Sequence, residues 1–572
     1  MLAPIFSFRR VGVHAAPSSP QGTRSIMPKW FSKVPSNLTL MKILFFTAAN
    51  FTFLGILYGV NRGTILNTRE RRVLISIENA TRVDDTLPVT KTDLPFENFQ
   101  LKPPNKSEKL INEQVAESNP NVINSELNHI TPKLNNTCAW YVHTWNVKFN
   151  NLYWQVQKTK NVTYLLYGAY YDNRPRNLNG TVLRVLGMVD KIDPPISLHC
   201  LMWFVNETKP FISKMYEYQY MWRSEWGFWQ EPLQPYLMSC KVPPELGNRV
   251  PESVTVVEDI CPTGTNNLRV IYNTPPSGRK KDFAVCVKGL NFYNWPDIAV
   301  RLVEWLELLR ILGVEKVIIY QLTVDPKIET VLKYYEKLNN SKFEVDVEHT
   351  TLPGEFSNVP SLMEEYLWKR LPIQLFQEMI QYDDCFYKNF HQFKFISLLD
   401  IDEVILPKTV STWQQLMYGK VIPMAKKQRN ITWSSFVATN VHFMDDAAEL
   451  NEWFPHIPQY MHMLQHVRRN KEYIGMGGGI KCIHDTELIL SLHNHYPRAC
   501  IGDKTFWCPT FEMDRKDVHL QHYCFGRGKD VCQTKPGKDM IMDTSIWQYN
   551  NDLIPAVRKV LKGAGIIDKN AP

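Results

Sequence analysis

The chain has 572 residues, 65 Lys and Arg against 57 Asp and Glu, and a formal net charge of +8. Hydrophobic residues make up 44% and charged residues 21%, which excludes a wholly disordered or collagen-like chain and implies about two to four folded units. The basic excess is local: residues 1–60 hold six basic residues and no acid, and the rest holds 59 basic and 57 acidic, so a nucleic-acid-binding body is excluded.

Residues 1–37 read as a cytosolic tail. Leu38–Val60 is apolar apart from Lys42, Asn50 and a few threonines. At about 1.5 Å per residue it is long enough to cross a hydrocarbon core of roughly 30 Å. No small-residue cleavage site follows, so 38–60 is predicted to be a retained signal-anchor. Residues 61–137 have no Cys, Trp or Tyr and many Asn, Glu, Lys and Pro. Such a stretch buries too little apolar surface to offset its ordering entropy and reads as a stem. All 11 cysteines follow the anchor, without C-x-x-C spacing, and eight N-x-[S/T] sequons lie on the same side. Both features fit an oxidising lumen and a single-pass type II membrane protein. The odd cysteine count leaves a thiol free or paired between chains, so a disulfide-linked or other homo-oligomer is an expected partner state.

Residues 138–282 are aromatic-rich, and Val162–Tyr170 and Thr181–Met188 read as strands separated by turn residues. A β-rich subdomain is predicted. Tyr216, Tyr218, Tyr220, Trp222, Trp226 and Trp229 offer either a sugar-stacking platform or, more simply, an aromatic core or interdomain contact. From 283 the pattern alternates. Strands are predicted at Phe283–Val287, Val314–Tyr320, Phe343–Val347 and Phe393–Leu399, with helices at Asp297–Leu312, Ile328–Leu338 and Leu371–Tyr387. That alternation implies an α/β domain with a parallel sheet over 283–545, followed by a C-terminal tail at 546–572.

Ligands of such sheets bind beyond the carboxyl ends of the strands. There the chain reads Leu398-Leu399-Asp400-Ile401-Asp402-Glu403-Val404. Carboxylates so crowded repel one another unless they meet a hard divalent cation, and oxygen ligands suit Mn²⁺ or Mg²⁺. The D-x-D spacing sets two side chains toward one metal, so Asp400 and Asp402 are its candidate ligands. A nucleotide-sugar transferase uses such a cluster. So does a haloacid-dehalogenase-type phosphatase, with the first Asp as nucleophile, but its motif usually closes the first strand of the domain. Downstream, Gly475–Gly479 with Lys481 forms a flexible loop beside a cation that suits a diphosphate. His493 or His495 is a candidate third metal ligand, with His495 the choice made here, and His519 or His522 a second option. An inverting transferase also needs a carboxylate base. Asp445, Asp446, Asp485 and Glu487 are available, and Asp485 and Glu487 are taken as its candidates.

Cys286-Val287-Lys288, Glu304–Val314, Asp384-Cys385 and Phe395–Pro407 together resemble glycosyltransferase family 92. Ala169–Asp172 with Arg174 and Arg176, and Lys481 with His493–His495, extend the resemblance over roughly 165–525. It implies a GT-A-like Rossmann-type sheet domain, a Golgi enzyme, a UDP-sugar donor with Mn²⁺, and transfer of galactose to a glycan acceptor. On that resemblance Asp400 and Asp402 would hold metal and UDP, with Glu403 supporting them; Lys481, from the loop reading above, is the further donor-binding candidate. The alternative from a different class is a catalytically inactive glycan-binding protein.

Overall fold

The computed structural model describes residues 119, 121–122 and 138–568, apart from 196, 229–230, 262, 339–341, 355–357, 370, 429, 446–451, 476–478, 503–507 and 524–539. The predicted tail, the membrane span and nearly all of the stem lie outside the described residues. Among the described residues no helix is long and apolar enough to cross a membrane. The architecture is mixed α/β, built on several sheets.

The first sheet contains β1 (Phe149–Asn150), β2 (Trp154–Lys158), β3 (Thr163–Asp172), β4 (Val182–Val189), β5 (His199–Trp203), β6 (Phe211–Tyr220), β7 (Gln234–Lys241), β8 (Ser253–Val257) and β9 (Leu268–Ile271). Its order is β1-β2-β3-β4-β7-β6-β5-β8-β9, and a further β3–β9 pairing closes it into a barrel. β3 alternates: Tyr164 and Leu166 face the barrel interior, while Leu165 and Tyr167 face outward. A register shift between Leu166 and Gly168 then resets the alternation, so that Ala169 and Tyr171 point in and Tyr170 points out. A bulge here needs Gly168, because a Cβ at that position would come 2.3 Å from the Tyr170 hydroxyl. Released by the bulge, Tyr170 stacks on Tyr387 and donates a hydrogen bond to Asp384.

The second sheet contains β10 (Lys281–Phe292), β11 (Lys316–Val324), β12 (Glu344–His349) and β13 (Phe393–Leu398) in the order β12-β11-β10-β13, all parallel. Helices Ile298–Ile311, Pro326–Lys337 and Leu371–Asn389 connect them in turn, with a further helix at Pro360–Lys369. Alternation along β10 sends Phe283, Val285 and Val287 toward the first two helices, and Ala284 and Cys286 toward helix Leu371–Asn389. That last helix therefore lies between sheet and barrel, where Phe376, Ile380 and Phe386 are buried. Each contributes about 1.5–3 kcal/mol by leaving water. The disulfide Cys286–Cys385 fastens the helix to β10.

Beyond β13 the direction of the sheet changes. β14 (Glu403–Pro407), β15 (Ser435–Ala438), β16 (Asn440–Phe443), β17 (Arg468–Asn470), β18 (Lys481–Asp485), the hairpin β19 (Ile489–His493) and β20 (Tyr496–Cys500), β21 (Thr510–Glu512), β22 (Val518–Tyr523) and β23 (Met540–Met542) follow. β18 runs antiparallel to β13 and extends the large sheet through β15 and β21. β14, β22, β16, β17 and β23 form another sheet.

The barrel and the sheet built on β10–β13 share one apolar core, and a buried ionic clamp adds to it. Arg174 forks onto Asp172 with two bonds of 2.8 Å. It also donates to the carbonyls of Thr486 and Ile489 at 2.6 and 2.7 Å, and it lies over the Phe390 ring. Arg184 completes the set at 3.4 Å from Asp172. Asp172 and Arg174 thus tie the barrel to the far end of β18.

Two expectations are corrected by packing. Residues 550–563 form a helix, Asn550–Gly563, whose Leu553, Val557, Val560 and Leu561 enter the main core. The segment from 546 is therefore not a tail; the polar Asn550-Asn551-Asp552 start and Pro555 hid its periodicity. Part of the predicted stem is docked as well. Asn121 donates to the Tyr167 carbonyl at 2.8 Å, and Val122 bridges to Leu268. The Trp222 part of the aromatic stretch is a contact between layers: Trp222 is buried against Phe376 and His493.

Candidate active site

The strand-end rule places the site. β13 stops at Leu398, Leu399 donates to the Cys286 carbonyl, and the chain turns through Asp400–Glu403. Glu403 makes this turn. Its backbone N–H donates to the Asp400 carbonyl at 3.0 Å, and its carboxylate folds back to accept from the Asp400 N–H at 3.2 Å. Glu403 is 2% exposed, whereas the side chains of Asp400 and Asp402 keep 21% and 16% of their surface. Glu403 is thus the brace and the two aspartates are the presented groups. They line a cleft with Lys288, Gly289, Asn291 and Gln374.

Two lysines balance the carboxylates. Lys481, at the start of β18, is 3.3 Å from Asp400 and 3.0 Å from Glu403, and it also donates to Asn494. Lys288, in the carboxyl-terminal half of β10, is 3.3 Å from Asp400 and 2.9 Å from Glu378. Burial works to raise the Asp400 pKa, but Lys288 and Lys481 outweigh it and hold the carboxyl well below its usual range. Burial dominates at Glu403, whose pKa is raised. Tyr382 adds a hydroxyl 3.4 Å from Asp400.

Asp402 faces a histidine. His522 Nε2 is 3.7 Å from Asp402, and its Nδ1 is 3.6 Å from Glu403. The β14–β22 register explains this, since Glu403 pairs directly with His522. Burial opposes protonation of His522, but Asp402 prevails and its pKa is raised. His495 lies on the Lys481 side, with Nδ1 3.1 Å from the Ile480 carbonyl, and burial lowers its pKa to about 3. His493 stacks on Tyr496. His519 is buried beside Gln521.

Four carboxylates (Glu378, Asp400, Asp402 and Glu403) meet two lysines and one imidazole. Asp402 and His522, 3.7 Å apart, offer an oxygen and an imidazole donor of the kind that suits a divalent cation such as Mn²⁺, whereas both oxygens of Asp400 are engaged by Lys288 and Lys481.

The bases read from the sequence are not there. β18 runs antiparallel to β13, pairing Asp485 with Phe395. Asp485 therefore sits five strand positions from Asp400, about 16 Å at roughly 3.3 Å per residue. Glu487 lies further on and pairs with Lys280. Neither belongs to the cleft. Asp485→Asn and Glu487→Gln are expected to keep turnover within about threefold of the parent, as for surface changes remote from a site. A loss of a hundredfold in a transfer assay would restore one of them as the base.

Residues 281–556 match the family model "Glycosyltransferase family 92", and this part of the chain is a glycosyltransferase family 92 domain. The chain is also similar to the "Beta-1,4-galactosyltransferase galt-1" of Caenorhabditis elegans, with 25% identity over 255 residues, 42% of this chain and 51% of that relative. The chain thus matches about half the length of that curated relative. Among solved structures it is similar to HddC from Yersinia pseudotuberculosis, with 14% identity, a TM-score of 0.22, and coverage of 42% of this chain and 93% of that one. A likeness so low carries no fold argument.

Proposed function

We propose that this protein is a metal-dependent glycosyltransferase that moves a hexose, galactose first among them, from a UDP-sugar to a glycan acceptor with inversion. The observation that carries the reading is the Asp400–Glu403 turn at the carboxyl end of β13, inside the family 92 domain. The nematode relative is named as a beta-1,4-galactosyltransferase, which supports galactose as the donor sugar. The parallel order β12-β11-β10-β13 with its strand-end acidic pair supports a GT-A-like reading.

Asp400, Asp402 and His522 would hold Mn²⁺, or Mg²⁺, with Glu403 as brace. The ion, when bound, would supply positive charge to the leaving diphosphate. Lys288 and Lys481 are pre-placed cations on either side of Asp400, and they hold its carboxylate ionised and oriented. The disulfides Cys138–Cys261, Cys200–Cys240, Cys286–Cys385 and Cys500–Cys508 support an oxidising compartment. A type II anchor in the Golgi, from Leu38–Val60, belongs to the same proposal. Cys482 is free and buried, so it offers no link between chains; Cys524 and Cys532 lie outside the described residues.

A donor-by-acceptor screen on the full chain tests the reading. Transfer from UDP-galactose to a glycan should require Mn²⁺ and stop with chelator. Unchanged transfer in excess chelator would contradict the metal, and no transfer from any nucleotide sugar would favour a glycan-binding protein. The phosphatase alternative predicts a phospho-aspartyl adduct at Asp400, and the family match supports the transferase over it.

A further inference from the structure

A second set of ligating side chains lies apart from the acidic turn. Asp445 follows β16, and His462 and His466 stand four residues apart at the short helix His462–Gln465. That spacing puts both imidazoles on one side. His466 Nε2 is 2.9 Å from Asp445 Oδ1, and His462 Nε2 is 3.4 Å from Asp445 Oδ2. One ligand atom from each of the three residues lies within 4.8 Å of the others.

Both imidazoles are buried, 7% and 4% exposed, and neither Nε2 has a well-directed hydrogen bond. The tautomer of His466 follows from its other nitrogen. Nδ1 is 2.7 Å from the His462 carbonyl, where only an N–H can sit favourably. Nε2 then faces Asp445 Oδ1 at 2.9 Å without a well-directed hydrogen bond. A cation between Nε2 and the carboxylate would give both groups a partner. Imidazole N–H donation to a backbone carbonyl is also the usual outer support of a metal-bound histidine. Tetrahedral zinc, with bonds of about 2.0–2.1 Å, sets its ligand atoms roughly 3.3 Å apart, a spacing within reach of three ligand atoms that lie within 4.8 Å of one another.

The surroundings hold the set in place. Arg301 reaches Asp445 at 3.2 Å and orients its carboxylate. Glu304 accepts from the N–H groups of Met463 and Leu464 at 3.0–3.2 Å and pins the helix that carries the histidines.

We propose that Asp445, His462 and His466 bind one zinc ion at a site separate from the Asp400–Glu403 turn. Two imidazoles and one carboxylate, with a fourth position for water, form a donor set that zinc takes readily. The ion would stiffen one wall of the active-site cleft. The link is Tyr523, whose ring centroid is 5.8 Å from that of His462 and whose N–H donates to the Asp402 carbonyl at 2.8 Å.

The test is the zinc content of the full chain, purified without chelator and measured by inductively coupled plasma mass spectrometry. One zinc per chain is expected, unchanged in Asp402→Asn and reduced at least tenfold in His462→Gln and His466→Gln. Because those variants could lose the ion by misfolding, cobalt(II) is added to zinc-stripped wild-type protein. Visible d–d bands of a four-coordinate site are expected there, with displacement by zinc. Wild-type protein with neither zinc nor cobalt bands would overturn the proposal. So would zinc retained in both histidine variants, or zinc lost only in Asp402→Asn.

Discussion

Replacing Asp402 with asparagine is expected to lower the transfer rate at least about 100-fold, the scale on which removing one aligned electrostatic group acts on a charged transition state. The fold should survive. Asp402 keeps 16% of its side-chain surface and has His522 as its ion-pair partner, at 3.7 Å. Its charge repels Asp400 and Glu403, and the uncharged amide relieves that repulsion. The backbone carbonyl that accepts from Tyr523 is untouched. Thermal melting should therefore stay at or slightly above the wild-type temperature while turnover collapses. Full turnover in this variant would remove Asp402 from the chemistry. A fall in turnover matched by loss of the folded state would assign it to structure instead.

Asp172→Ala should do the opposite, unfolding the protein from a position remote from the cleft. Asp172 is fully buried and neutralises Arg174 and Arg184. Burial raises its pKa, but Arg174 wins and holds the carboxyl well below the usual range. Removing it leaves the buried Arg174 guanidinium without a counter-charge, while Arg184 keeps Glu217 at 2.7 Å, at a cost of about 3–5 kcal/mol. Arg174 would then grip the Thr486 and Ile489 carbonyls with an uncompensated charge. The sign of the pH dependence follows from the depressed pKa. The contribution of Asp172 is complete above the unfolded carboxyl value and is lost as pH falls through the folded one. Wild-type stability from this clamp should thus be flat between about pH 5 and 8, with the loss confined to acid. Urea unfolding at neutral pH reads the size of the effect, and a change below 1 kcal/mol would mean that the clamp is not structural.

The parts legible in the sequence are those encoded over short distances. The Phe393–Leu398 run and the acids behind it are contiguous, so one rule about strand ends located the cleft. The helices at 298–311, 326–337 and 371–389 were visible because each carries its own apolar period. Lys288 was readable by the same rule, since it follows the apolar run of β10, the parallel neighbour of β13. His522 needed more, because its place beside Asp402 depends on the β14–β22 pairing across more than a hundred residues. Asp485 and Glu487 failed as bases for a related reason. They follow Lys481 closely in sequence, but an antiparallel strand carries whatever follows it away from the end where it began. Closure of the barrel by β9 and the bulge at Gly168 were likewise hidden, since both rest on partners remote in the chain. The clamp of Arg174 appeared in the sequence only as part of a family-like segment, with no sign that it spans two layers.

The role proposed for the Asp400–Glu403 turn is that of a metal-assisted nucleotide-sugar site. Calorimetric titration of UDP-galactose into the full chain, with and without Mn²⁺, tests it most directly. The account predicts saturable binding to wild-type protein only with Mn²⁺, and at least a tenfold loss of affinity in Asp402→Asn that still melts as wild type. Equal binding by the folded variant, or binding by wild type that ignores Mn²⁺, would contradict it.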